Sequence, residues 1–402
     1  MKYLLKNKDK VVLEFDVSTK ESFIQTLQET TYTNEISNIK IINEFLLPKS
    51  INSQHLIDSL TQWIDGRKAP KNREFIDEII ATYSHTNKRE GLMDYIDISL
   101  GLSLNDSYWI VPADSNYEWD KYNLYANEFD KALELVAFSG NSHKANGITS
   151  SPEYTTNGML KKCWHRENKQ IYLYKGCVSA NYKQSNVGKE AYSEYYMAQV
   201  AKALDFKHTP YDLREFHGQL VSTCPIFTNE NEGYMAIYYL LDKQSLQKRG
   251  LESIDFLSNV YGIESLQNLM LFDGIICNKD RHLGNFGMII DNNTNEILHP
   301  APIFDNGFSM INFLRENELN NIKESIKKYQ SKLDISFDEQ LKLFTQPRHI
   351  PALEKLKSFE FTKHKDFNLP DIWLESIQKT IQERAQLALD FCNQKYKRNN
   401  KT

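Results

Sequence analysis

In the run CNKDRHLGNFGMIIDNNTNEILHPAPIFDNG, residues 277–307, three side chains have types and spacing that can do chemistry: Asp280, Asn285 and Asp305. A carboxylate and an amide carbonyl are the hard oxygen ligands that Mg2+ prefers, and a site with few protein ligands leaves room for phosphate oxygens and water. A second carboxylate close by can orient a hydroxyl group or take its proton. The combination suits phosphoryl transfer. That reaction needs metal ions on the phosphate oxygens, a group that orients the attacking hydroxyl, and a cation on the phosphates. We therefore expect Asp280 to act as catalytic base or orienter, and Asn285 and Asp305 to be Mg2+ ligands beside ATP.

The protein-kinase solution to this chemistry places an Asn five residues after the catalytic-loop Asp, then a short hairpin, then an Asp-containing turn. Here Asp280 and Asn285 bound DRHLGN. FGMII, the polar turn DNNTNE and ILHPAPIF read as the hairpin, and Asp305-Asn306-Gly307 fills the place of the second turn. Singly, each piece is commonplace, since Asp-Gly and Asn-Gly combinations favour plain turns. Jointly they favour a metal–nucleotide site. His282 is a further candidate catalytic residue, although a histidine that bonds the backbone and shapes the loop is the preferred reading, because Asp280 already fills the proton-transfer role. Arg281 reads as a solvated charge.

The phosphate cation is expected upstream. Lys175 in IYLYKG ends a strand, with apolar neighbours that would seat it in a sheet, and kinase-like lysines are held by a carboxylate from a helix. Glu194 in YSEYYMAQVAKAL is the candidate partner. Glu190 is the runner-up, and near the helix start it would merely complement the dipole. The stretch SSPEYTTNGMLKK could cover phosphates with its backbone N–H groups, with Thr155, Thr156, Asn157 and Gly158 in contact with the nucleotide. It is no Walker A sequence and lacks a full G-x-G-x-x-G, so an ordinary flexible loop is the alternative. Ser150, Ser151, Thr155 and Thr156 would then be candidates for self-phosphorylation.

Elements must position these groups. KVVLEFDV and IKIINEFLLP read as strands, and SQHLIDSLTQWIDGR, NREFIDEIIATY and EGLMDYIDISLG carry apolar residues at helical spacing. The Ser-, Thr-, Asn- and Gly-rich run at residues 139–158 marks a domain boundary near its start. Beyond it KKCWHR, QIYLYKG, the helix GKEAYSEYYMAQVAKALDF, QLVSTCPIF and GYMAIYYLL predict a β-β-α-β-β antiparallel sheet. From residue 243 the chain turns helical, ending in LPDIWLESIQKTIQERAQLALDFC, which Pro370 and Asp371 start. The expectation is an α+β chain with a bilobal protein-kinase-like fold, a small antiparallel sheet lobe (141–242) and a helical lobe (243–402), preceded by a mixed α/β domain (1–140).

Composition narrows the class. With 402 residues, 41% apolar and 25% charged, the chain can bury sizeable cores, and 22 Tyr and 21 Phe argue against disorder. A net charge of −5 supplies no basic field, so nucleic acid is not the expected ligand. The cysteines at 163, 177, 224, 277 and 392 form no C-x-x-C pair, and GIICN and DFCNQ read as buried thiols. The start, MKYLLKNKDKVVLEF, lacks the apolar region of a signal peptide, and no apolar run approaches a membrane span. A cytoplasmic protein away from membranes is expected.

These residues resemble a known family. NKDRHLGNFGMI and PIFDNGFSM are similar to the catalytic and metal-binding segments of HipA-like kinases, a family related in fold to phosphoinositide 3- and 4-kinases. YLYKG and SEYYMAQVAKALDF resemble that family's nucleotide lysine and following helix, and TTNGMLKKCW its phosphate loop. The resemblance covers residues 147–312. It implies Asp280 as catalytic base, Asn285 and Asp305 on Mg2+, Lys175 on the ATP phosphates, and a hinge meeting adenine at Tyr238, Tyr239 and Leu240. It further implies a protein Ser or Thr as acceptor, and for some members a toxin role with an antitoxin or other regulatory partner. The long N-terminal part and the lack of a visible helix-turn-helix depart from that context. A lipid or small-molecule kinase, or a nucleotide-binding module without turnover, are the competing readings.

Overall fold

The structure is a computed structural model that describes residues 1–24, 29–82, 93–141, 151–178, 188–242 and 244–399. Helices and small antiparallel sheets make up a mixed α/β chain. Its strands are β1 (Lys2–Asn7), β2 (Lys10–Ile24), β3 (Glu29–Ile41), β4 (Tyr108–Pro112), β5 (Lys162–Glu167), β6 (Gln170–Gly176), β7 (Asp212–Phe216), β8 (Gln219–Pro225), β9 (Glu232–Ala236), β10 (Gly287–Asp291) and β11 (Ile297–Pro300). Two compact units divide it. The first comprises Met1–Tyr174, Thr228–Met235 and Ile289–His299, and the second Lys175–Phe227, Ala236–Met288 and Pro300–Thr402.

In the first unit β3-β2-β1-β4 form an antiparallel sheet. The pleat sends alternate side chains to one face, so β1 buries Tyr3, Leu5 and Asn7. Leu5 pairs with Leu13 on one side and Ile110 on the other. These residues, with Phe15 and Val17, form a core with Leu60 and Ile64 of the helix Leu56–Asp65. Each such fully buried side chain contributes about 1.5–3 kcal/mol. IKIINEFLLP is a strand only to Ile41. Glu44–Leu46 turns as a 3-10 helix that the Asn43 side chain caps by accepting from the Leu46 N–H.

The sheet expected from β-β-α-β-β differs in one strand. GYMAIYYLL does not complete it: β9 joins β10 and β11, and Ile237–Leu240 is a 3-10 helix. The strand paired antiparallel with β8 is β7, DLREF, closed by His217 and Gly218 at φ 49° and 71°. Two successive left-handed residues match the twist of a tight hairpin. The sequence of β7, DLREF, is polar and charged and mimics a loop.

The second unit is largely helical. The helices Ile263–Ile276, Phe337–Phe344 and Asp371–Asn399 bury Leu271, Phe272, Ile275, Leu341, Ile377, Ile381 and Ala385. At Gly274 a Cβ would stand 2.7 Å from Leu341 Cδ2, so a glycine is needed for the two helices to approach. Its carbonyl accepts from Arg384 Nε at 2.8 Å. Among the described residues no helix is long and apolar enough to cross a membrane.

Candidate functional site

β6 brings Lys175 into the second unit at its end, and the helix Glu190–Ala203 supplies Glu194. Lys175 Nζ lies 2.9 Å from Glu194 Oε1 and 2.5 Å from Asp305 Oδ1. Glu194, wholly buried, also accepts from the Asn306 N–H through Oε2 at 2.6 Å. One carboxylate thus holds both the lysine and the turn that carries Asp305. Glu190, one helical turn earlier, takes a different partner and accepts from Asn312 Nδ2 at 3.1 Å.

The turn itself is unusual. Asp305 adopts a left-handed backbone, φ 57°, which Asp tolerates better than most residues. Its N–H donates to Tyr211 Oη at 3.1 Å, and Ser193 Oγ donates to the Asn306 carbonyl at 2.8 Å. At Gly307 a Cβ would meet Glu194 Oε1 at 3.2 Å and Lys175 Nζ at 3.6 Å. Glycine therefore keeps space around the ion pair. Burial disfavours the Lys175 ammonium, but the Asp305 and Glu194 carboxylates outweigh it and raise its pKa. Burial raises the Glu194 carboxyl, with Lys175 pulling it back and Asp305 pushing it up further.

The loop after the helix Ile263–Ile276 carries the other groups. Asp280 donates its N–H to Asn278 Oδ1 at 3.1 Å, and its carbonyl accepts from the His282 N–H at 2.7 Å and from Asn285 Nδ2 at 3.1 Å. Fixing that amide nitrogen leaves the Asn285 Oδ1 end for a cation. His282 is exposed, and its Nδ1 accepts from the Gly284 N–H at 3.0 Å, a contact that shapes the loop.

Arg281 is no solvated charge. It is buried, with Nε 2.9 Å from Asp273 Oδ2 and Nη2 3.0 Å from Asp273 Oδ1. Its Nη1 donates to the carbonyls of Asn285, at 3.1 Å, and Phe304, and its Nη2 donates to Asn306 Oδ1 at 2.9 Å. A single planar guanidinium, whose five donors are fixed in direction, therefore ties the Asn285 turn to the Asp305 turn. The sequence does carry a signal for this pair: Asp273 interrupts the apolar run MLFDGIIC, and a charge in such a run must find a partner. Tyr211 and Asn306 left no comparable signal.

The other expected residues have hydrogen-bond partners of their own. Thr155–Gly158 belong to the first unit, where Thr155 Oγ1 donates to the Leu102 carbonyl at 2.7 Å and Thr156 Oγ1 to the Pro152 carbonyl at 2.7 Å. The Asn157 carbonyl accepts from Lys162 Nζ at 2.9 Å, and that ammonium occupies the space a Cβ would take at Gly158. Arg73 donates to the carbonyls of Glu153 and Thr156, at 2.6 and 3.2 Å, and so pins the loop. Ser151 and Thr155 are buried as well as bonded, which closes them to a phosphoryl donor in this conformation; Ser150 lies outside the described residues. Tyr238, Tyr239 and Leu240 end the 3-10 helix Ile237–Leu240, with both rings partly exposed and the Tyr238 N–H on the Leu283 carbonyl at 3.2 Å.

The donor chemistry fits Mg2+. Asp305 and Asn285 offer a carboxylate and an amide oxygen, and such an ion keeps several waters and substrate oxygens. Among the described residues no group of three or more His, Cys, Asp or Glu forms a self-sufficient metal cage.

No family model and no curated protein matches the sequence. Among solved structures, the chain is similar to the Helicobacter pylori proinflammatory kinase CtkA, with 19% identity over 59% of this chain and 91% of that chain, at a TM-score of 0.48. It is also similar to HipA of Shewanella oneidensis MR-1, solved with HipB and operator DNA as a toxin antitoxin system. There the identity is 11% over 98% of each chain, at a TM-score of 0.49.

Proposed function

We propose that the chain is an ATP- and Mg2+-dependent kinase that moves the γ-phosphate to a Ser or Thr hydroxyl of a protein. The observation that carries this reading is the contact of Lys175 Nζ with both Glu194 and Asp305, at 2.9 and 2.5 Å. A lysine kept charged, braced by a helix carboxylate and set against a metal-ligand candidate is what phosphoryl transfer requires. When bound, Mg2+ neutralises charge on the phosphate oxygens; Asn285 and Asp305 would hold it. Lys175 binds the phosphates, Asp280 orients the acceptor hydroxyl and takes its proton, and Arg281 keeps the two turns in register.

The sequence resemblance to HipA-like kinases supports a protein acceptor, a bilobal kinase spanning residues 141–402 after a separate domain, and a regulatory partner such as an antitoxin. The five cysteines are buried and in no disulfide, which fits a reducing compartment, and we place the protein in the cytoplasm.

The test is transfer of labelled γ-phosphate from ATP into a cell lysate, comparing the wild-type chain with Asp280→Asn and Asp305→Ala. Each variant is expected to lose about 10³-fold or more in rate, the scale of an aimed catalytic group. Label in lipid or small-molecule fractions instead of protein would transfer the proposal to those acceptors. Wild-type rates in both variants would end it.

A further inference from the structure

Asp280 has a basic neighbour, Lys332. Lys332 Nζ stands 3.5 Å from Asp280 Oδ1, with the lysine side chain 50% exposed and the carboxylate 32% exposed. Its backbone is not loose. The flanking Ser331 and Leu333 are buried, the Leu333 N–H donates to Ser331 Oγ at 3.2 Å, and the Ser331 N–H donates to the Ile335 carbonyl at 3.0 Å. A fixed turn therefore presents a long, movable ammonium to the candidate base.

A second cation shares the neighbourhood. Lys279 Nζ lies 5.4 Å from the ring centre of Tyr329, 5.5 Å from Phe313 and 6.0 Å from Phe308. Aromatic faces at such distances attract an ammonium. Burial lowers the Lys279 pKa, Asp280 pulls it up and Lys332 pushes it down, so the three groups feel one another. Asp280 thus has two ammonium groups in its electrostatic neighbourhood.

We propose that Lys332 is a catalytic residue, the cation that meets the γ-phosphoryl group while it is between donor and acceptor. This rests on the kinase reading above. In the step, the acceptor hydroxyl oxygen forms a bond to the γ-phosphorus. The bond from that phosphorus to the β–γ bridging oxygen breaks, ADP leaves with the electron pair, and the hydroxyl proton passes to Asp280. A hydroxyl held by Asp280 sits about 3 Å from the carboxylate, and the phosphorus about 3–3.5 Å beyond it. An ammonium that already touches the same carboxylate, on a four-carbon stem, reaches the phosphoryl oxygens. Once Asp280 accepts the proton it is neutral and no longer holds Lys332. The cation is released at the moment when a fixed positive charge on the phosphoryl oxygens contributes most. Lys279, set among its three rings, keeps the local field positive.

The test uses Lys332→Ala and Lys332→Arg in the full chain, with slow ATP hydrolysis as the activity and water as the acceptor. Lys332→Ala is expected to lower kcat on the order of 10²-fold while KM for ATP stays within about twofold. Lys332→Arg recovers most of the rate. As a binding readout, the affinity for ADP with Mg2+ is unchanged in Lys332→Ala, whereas the extra tightness gained on adding aluminium fluoride, a mimic of the phosphoryl group in transit, is lost. A Lys332→Ala rate equal to or above wild type, or aluminium fluoride tightening that survives, overturns the assignment. If Asp280→Asn and Asp305→Ala abolish hydrolysis and Lys332→Ala does not, only the role of Lys332 falls. If none of the three changes it, the kinase reading falls as well.

Discussion

Arg281 and Asp273 face each other in the second unit as a two-pronged ion pair, with Nε–Oδ2 at 2.9 Å and Nη2–Oδ1 at 3.0 Å and both side chains almost wholly out of water. Burial raises the Asp273 carboxyl while Arg281 draws it down. Removing one member of such a pair strands a charge, which costs about 3–5 kcal/mol. Arg281→Ala should lower the unfolding free energy by that amount, read as a fall in the urea midpoint at unchanged m, and Arg281→Lys should recover little, because a point charge cannot replace the fork. An unchanged midpoint in Arg281→Ala would contradict the hub described above.

Lys175→Met leaves Glu194 buried beside Asp305 without its counter-charge. Losing the cation lets burial and Asp305 raise the Glu194 carboxyl further above its unfolded value of 4.5. A carboxyl raised by folding takes up its proton more readily in the folded state, so stability improves as pH falls and is poorest at neutral and alkaline pH. Melting curves of the variant and the wild type should therefore differ most above neutrality and converge towards pH 5. A pH-independent gap would contradict the ion-pair geometry. The variant should also lose ATP affinity.

Tyr211→Phe deletes the hydroxyl that accepts from the Asp305 N–H. Its net effect on stability should be about 1 kcal/mol. The loosened turn should weaken ATP affinity several-fold with Mg2+ present and leave it unchanged in EDTA, as titration calorimetry would read. Equal weakening in both conditions would argue against a link between Tyr211 and the metal side of the site.

A pH effect away from the site tests the packing of the helical part. His349 is buried, its Nδ1 accepts from the Gln346 N–H at 3.1 Å, and Nε2 meets Asn268 Oδ1 at 2.8 Å. That pairing suits a neutral ring carrying its proton on Nε2. Burial, with Arg348 adding to it, lowers its pKa to about 4 from 6.5. Because the folded value is depressed, the contribution to stability is complete above pH 6.5 and is lost as pH falls towards 4, up to about 3 kcal/mol. His349→Gln should flatten that part of the stability–pH curve, and an unaltered slope would count against the assignment.

What the sequence could say about this protein follows the range over which each signal acts. Asp280, Asn285 and Asp305 are separated by a loop and a hairpin, so their spacing is local and legible. Lys175 and Glu194 fall at a strand end and on the next helix, and the structure brings Glu194 to Lys175 where Glu190 goes to Asn312. Arg281 reads as solvated in the sequence because its burial depends on Asp273, eight residues earlier, and on carbonyls from two separate turns. β7 is not legible because a polar hairpin strand has no apolar rhythm. The hydroxyls of Thr155 and Thr156 looked available from composition alone, whereas tertiary folding gives them carbonyl partners at Leu102 and Pro152.

The most direct measurement is a crystal structure of the protein with Mg2+ and a non-hydrolysable ATP analogue. The account predicts one Mg2+ bound by Asn285 Oδ1 and a carboxylate oxygen of Asp305, with Lys175 Nζ on the phosphates and still braced by Glu194. A nucleotide bound elsewhere, or Asn285 and Asp305 oxygens that share no ion, would contradict it.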